Sequence, residues 1–193
     1  MGLVLVWCII TFCPNQWAQH SRLFSVLHEI SREVVKGHLN GEYQGHPNNA
    51  TFERLKPGDI LLCHNQGGGY GYWTHAVLYI GGGRVVDSDD FAEGTKFNSV
   101  QKYRQYDELL AARVDITNDV RRKIVQNAKK EVGKPYDPFS GLSDRHSEYC
   151  SKLIWKVFDN QGIRLCPPGL WILPDDLAHS QKVQYVAKWE AKP

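Results

Sequence analysis

The stretch THAVLYIGGGRVVDS, Thr74 to Ser88, decides the fold. Two short runs rich in β-branched and aromatic residues flank three consecutive glycines, Gly81 to Gly83. That pattern predicts a β-hairpin. Upstream, LKPGDILLCHN (Leu55 to Asn65) is a turn feeding another strand. Between them lies a glycine-rich loop, Gly67 to Tyr72. Downstream, a polar loop is expected first, then a helix over Tyr106 to Ala112 and a strand in ARVDI. Val120, Ile124, Ala128 and Val132 recur at helical spacing over Asn118 to Val132, with Thr117 or Asn118 as cap. GKPYDPFSGLSDR reads as a loop, and Glu148 to Asn160 as a helix with Leu153, Ile154, Val157 and Phe158 on its apolar face. A short helix over Pro174 to His179 and an alternating strand, KVQYVAKWE, close the chain. Mixed helices and antiparallel strands argue for an α+β domain.

The 193 residues suffice to bury a sizeable core without help from disulfides or metals. Hydrophobic residues make up 42% and charged residues 23%, which excludes a disordered chain and a multi-span membrane protein. The net charge of +2 gives no field for nucleic acid, so none is expected as a partner. The five cysteines, Cys8, Cys13, Cys63, Cys150 and Cys166, form no CxxC pair, so a structural zinc has little support. Cys63 lies in an apolar run and reads as a core residue.

Residues 1–18 begin with the apolar run MGLVLVWCIITF, too short to span a bilayer. They read as an export signal or its remnant, which would make the protein exported or envelope-associated; a structural helix or a membrane-surface anchor is the alternative, with a cytoplasmic location. Residues 19–50 read as an amphipathic helix (Leu23, Leu27, Ile30, Val34) and a polar linker. The catalytic domain is expected over 51–193.

Three residues could carry chemistry. Cys150 opens a helix, where the positive end of the helix dipole favours the thiolate and its own backbone N–H points toward an oxyanion. His75 starts a strand and suits the role of general base. Asp87 lies across the glycine turn from His75 and could hold the imidazole in one tautomer; Ser88 and Asp89 compete for that role. Nucleophile, base and orienter together make a site where each alone is weak. Tyr72, Trp73, Tyr136 and Tyr149 are candidates to line the substrate pocket, with packing as the alternative for each. Gly169 to Pro174 (GLWILP) is the candidate exposed apolar patch.

The blocks LKPGDILL, THAVLYIGGGRVVDS, GKPYD, EYCSKLIWKVF and LPDDLAHSQKVQYV, in this order, resemble the circularly permuted NlpC-type papain-like hydrolases, above all the YaeF/YiiX-like bacterial group. The related lecithin retinol acyltransferase-like enzymes share the order. The resemblance spans roughly Leu55 to Trp189. It implies a permuted papain-like fold, Cys150 as nucleophile, His75 as base, and Tyr136 at the mouth of the site. Asp87 stands where the YaeF-like proteins tend to carry glutamate and the acyltransferase-like ones a second histidine. The implied activity is thiol-dependent cleavage of an amide, in a cell-wall peptide or amino-acid amide, through an acyl-enzyme and without metal or organic cofactor. A lipid acyl hydrolase or transferase on the same triad, a non-enzymatic ligand-binding module, and a metal site through Cys63, His64, His75 and Cys150 are the alternatives. The expected partner is therefore a small peptide-like or lipid-like substrate.

Overall fold

The computed structural model describes residues 46–66 and 71–191. The apolar leader, the amphipathic helix ending near Gly37, Cys8, Cys13 and most of the glycine-rich loop lie outside the described residues. Six strands form one antiparallel sheet: β1 (Ile60–His64), β2 (His75–Gly81), β3 (Arg84–Asp90), β4 (Gly94–Ser99), β5 (Glu108–Val114) and β6 (Val183–Glu190). Their spatial order is β4-β3-β2-β1-β5-β6. A 3₁₀ helix, Val100–Gln105, joins β4 to β5. The helices are α1 (Asn118–Lys130), α2 (Cys150–Asp159) and α3 (Pro174–Ala178).

The central strands of the sheet are buried on both faces. On one side Leu62, Leu78, Val86, Leu110 and Ala112 pack against Ile124 of α1, Leu153, Ile154, Val157 and Phe158 of α2, and Leu177 of α3. On the other, Leu61, Cys63, Val77, Val85, Leu109 and Ala111 pack against Val100, Tyr103 and Tyr106. The period-two alternation of strand side chains sorts neighbouring residues between these two cores. Residues 46–50, placed in the linker from sequence, contribute to the second core. Ala50 is buried, and the Asn48 side chain donates to the carbonyls of Tyr103 and Tyr106 at 3.1 and 2.7 Å.

Within the stretch Tyr106 to Ala112, expected as a helix, Glu108 to Ala112 instead begins β5, which ends in the ARVDI run expected as strand. Its sequence, ELLAARV, has strong helix formers, which set the expectation. Yet β5 sits between β1 and β6 and alternates between the cores, with Leu109 and Ala111 on one face and Leu110 and Ala112 on the other. Burial on both faces removes the polar half of the alternation, so the strand carries no period-two signal. β4, expected as loop, is an edge strand whose outward residues are polar, with Phe97 exposed. Thr117 caps α1 through Val120 N–H.

Candidate active site

His75 is the first residue of β2, next to Cys63 of β1 in the ladder. It is buried, and its Nε2 donates to Asp87 Oδ1 at 2.8 Å. The other Asp87 oxygen accepts from the Tyr103 hydroxyl and from Asn98 Nδ2, the latter at 3.1 Å. The rings of Tyr103 and Tyr106 lie nearly parallel to the imidazole, with centroids 6.4 and 6.2 Å away. Burial alone would favour neutral His75; the charge and hydrogen bond of Asp87, with a hydrogen bond to the Cys150 sulfur, outweigh it and raise its pKa well above the usual imidazole value. Burial works against the Asp87 carboxylate as well, but His75, the Tyr103 hydroxyl and Lys102 hold its pKa well below the usual range. With Nε2 committed to Asp87, Nδ1 is the ring nitrogen left for a further partner.

Of the three acids or hydroxyls considered for the orienter, Asp87 alone bonds the imidazole. Ser88 faces the helix side of the sheet, where Thr95 Oγ1 donates to its hydroxyl at 3.0 Å. Asp89 shares the face of Asp87 but is held by Lys102 at 3.0 Å and Lys96 at 3.4 Å. Burial and the charge of Asp87 raise its pKa.

Cys150 is the first residue of α2, partly exposed at the helix N-terminus. The chain on either side of it is firmly held. Glu148 pairs through its backbone with Pro135 and Asp137, both at 2.9 Å, and its buried carboxylate meets Lys156. Tyr149 is buried and its hydroxyl accepts Ile172 N–H at 3.1 Å, while Ser151 donates to Ile172 O at 2.6 Å. Two residues on, the fully buried Lys152 donates to Ser140 Oγ and Ser147 O at 3.0 and 2.9 Å. These ties leave Cys150 as a fixed point between two anchored loops. Cys63, by contrast, is buried on the sheet; burial, reinforced by the charges of Asp87 and Cys150, pushes its thiol pKa up and keeps it protonated.

The four residues proposed to line the pocket fare differently. Tyr149 is a buried strut under the Ile172 loop. Trp73 is buried, yet with Leu110, Tyr185 and Lys188 it lines a cleft of about 390 Å³ on the helix side of the sheet. Tyr72 is exposed and Tyr136 half-buried. Tyr136 bridges Glu148 and meets Phe91 edge-on at 4.9 Å, a partner that sequence reading did not single out. Within GLWILP, Gly169 and Leu170 are exposed; Ile172 and Pro174 are buried. Sequence reading also missed Tyr103, Asn98 and Asp175. The first two sit in a stretch expected to be a polar loop, and no local pattern links them to Asp87.

Among the described residues one group could share a metal ion: His75, Asp87 and Asp89, with ligand atoms within 4.8 Å of one another. An ion there would have to break the His75–Asp87 bond and compete with Lys102 and Lys96 for Asp89, so the set does not fit a metal. The cluster considered from sequence is not assembled either. His64 stacks on Tyr72 at 4.2 Å, on the opposite face of the sheet from Cys63.

A model of the "Permuted papain-like amidase enzyme, YaeF/YiiX, C92 family" matches residues 47–186. Gamma-DL-glutamyl hydrolase of Bacillus subtilis (strain 168) is 36% identical over 111 residues, covering 55% of this chain and 26% of that protein. Uncharacterized protein YiiX of Escherichia coli (strain K12) is 49% identical over 41 residues, covering 21% of this chain and 19% of that protein. The chain thus matches about a quarter or less of the length of these relatives. The crystal structure titled metalloprotein yiiX from Escherichia coli O157:H7 superposes with a TM-score of 0.60 at 18% identity, covering 70% of this chain and 98% of that one. This likeness shows the α+β fold, and the family match spans nearly all of the described sheet and helices. The chain belongs to the permuted papain-like amidases of the YaeF/YiiX family.

Proposed function

We propose that this chain hydrolyses the amide bond of a short peptide or amino-acid amide through Cys150, His75 and Asp87. The observation that carries the reading is the buried His75–Asp87 pair, joined at 2.8 Å, whose imidazole also feels the Cys150 side chain at the start of α2. The Cys150 thiolate attacks the carbonyl carbon, and the oxyanion forms beside the Cys150 N–H at the α2 N-terminus. The His75 imidazolium gives its proton to the leaving amine, and the amine departs with the acyl group left on sulfur. Water then attacks the thioester, His75 takes its proton, and the acid leaves as the thiolate is restored. Asp87 holds the tautomer and steadies the imidazolium throughout.

The likeness to a gamma-DL-glutamyl hydrolase favours a peptide amide, γ-glutamyl linkages included, over a lipid ester. Turnover of a γ-glutamyl anilide, an α-linked alanyl anilide and a fatty-acyl nitrophenyl ester by wild type, Cys150→Ala and His75→Ala tests this. Release from an anilide that both substitutions abolish is expected. Turnover of the acyl ester alone, rising with micelles, would select the lipid reading. Residues 1–18 as an export signal remain a proposal from sequence, tested by the N-terminal residue of the mature protein.

A further inference from the structure

Tyr72 is about half exposed, yet it is fixed at four points. Its backbone N–H donates to Asp175 Oδ2 at 3.0 Å. Its carbonyl meets His64 Nδ1 at 2.5 Å. Its ring stacks on the His64 imidazole, 4.2 Å between centroids and 5° from parallel. Its hydroxyl donates to Glu108 Oε1 at 2.6 Å, and Glu108 is itself held by Lys188 at 2.9 Å. Asp175 uses its second oxygen on Trp73 N–H at 2.8 Å, so one carboxylate clamps two successive amides. Gly71 makes this clamp possible. A Cβ at that position would lie 2.2 Å from Asp175 Oδ2, and its φ of +124° favours glycine.

An exposed tyrosine on a loop ordinarily spends its contact energy on being ordered when a ligand arrives. Here that ordering is already done: His64 stacks on the ring, Trp73 meets it at right angles with centroids 5.1 Å apart, and about half of the residue stays exposed. His75 is three residues further on, so the two backbones are at most about 11 Å apart. Trp73 lies between them and lines the apolar cleft of about 390 Å³, a volume within the usual range for ligand sites. We infer that Tyr72, locked by Asp175, His64 and Glu108 beside the Trp73 cleft, is a preformed platform for an apolar group flanking the scissile amide. It sets specificity; Asp175, His64 and Glu108 are positioning residues. This rests on the hydrolase reading above.

The probes are N-hexyl and N-methyl chloroacetamide, which share the thiol-reactive carbon and differ in the apolar arm. Second-order labelling rates at Cys150, read by intact mass, should favour the hexyl reagent by about tenfold in wild type. The ratio should fall to about one to two in Tyr72→Ala and Asp175→Ala, and stay at the wild-type value in Arg122→Ala on the exposed face of α1. Gly71→Ala expels the carboxylate by a different route and should lower the ratio as Asp175→Ala does. A hexyl preference kept in Tyr72→Ala, or equal fast rates in wild type, overturns the platform alone. Cys150 labelling no faster than that of free glutathione overturns the hydrolase reading and the platform with it.

Discussion

Asp87 accepts the His75 Nε2–H at 2.8 Å although it is not the residue directly across the hairpin. Leu78 pairs with Val86; continuing that register sets Asp89 opposite His75 and Asp87 on the diagonal of the same face. The diagonal residue wins because each acid has other partners. Tyr103 and Asn98 fix Asp87 toward the imidazole, whereas Lys102 and Lys96 draw Asp89 away. The two neighbouring acids should therefore be unequal in their effect. Asp87→Asn should lower kcat/KM by roughly 10²-fold, on the scale of a lost acid–base catalyst, and Asp89→Asn by much less. Equal losses in steady-state assays of the two variants would contradict the assignment.

The same pair makes stability depend on pH. His75 has a raised pKa in the folded state, so its contribution is complete below the ordinary imidazole value, about 6.5, and is lost as pH rises through the raised value. Asp87 has a lowered pKa, so its contribution is complete above about 4 and is lost as pH falls through the lowered value. The Tm gap between wild type and His75→Gln should be widest between about pH 4 and 6.5 and narrow on both sides. A gap that grows with alkaline pH would show the sign to be wrong.

The catalytic pH profile should move with the carboxylate. Asp87 supplies the charge and the hydrogen bond that outweigh the burial of His75. In Asp87→Asn the imidazolium loses its proton at lower pH, so the alkaline limb of kcat/KM should shift acid. An unmoved limb would mean that it reports a different group.

Tyr149 offers a stability test separate from chemistry. Its hydroxyl is the acceptor for the buried N–H of Ile172. Tyr149→Phe removes that acceptor and leaves the amide unpaired, at about 1–3 kcal/mol. Chemical denaturation should show this loss. A neutral effect would mean that water replaces the hydroxyl.

Gly94 tests the stitch between β4 and the loop carrying Tyr136. A Cβ there would stand 2.2 Å from the Lys134 carbonyl, the acceptor for Thr95 N–H, and φ is +66°. Gly94→Ala should destabilise by about 1–3 kcal/mol, as expected for an L-residue forced into that region. Unchanged stability would show that the loop shifts freely.

Much of this architecture is legible in the sequence where a local pattern carries it. The hairpin over Thr74 to Ser88 follows from its composition and glycine turn, and the α2 face of Leu153, Ile154, Val157 and Phe158 from helical spacing. Only the end of β5 is legible, in ARVDI; its first part is not, because Glu108 to Ala112 is rich in helix formers and a strand buried on both faces has no polar alternation. Nor are Tyr103, Asn98 and Asp175. Each acts on a residue brought near only by the fold: Tyr103 is 16 positions from Asp87, and Asp175 is 103 from Tyr72. Side-chain hydrogen bonds across such separations leave no periodic trace. Asp175 meets the Tyr72 and Trp73 amides only after α3 has docked.

The central claim is that Cys150 is a nucleophile activated by His75. The most direct test is carbamidomethylation by iodoacetamide at pH 6, followed by intact mass and peptide mapping in wild type and His75→Ala. The account predicts a single fast adduct on Cys150 in wild type, with Cys63 unmodified in the folded protein, and a large drop in rate in His75→Ala. Cys150 reacting no faster than a simple thiol, or equally fast without the imidazole, would contradict it.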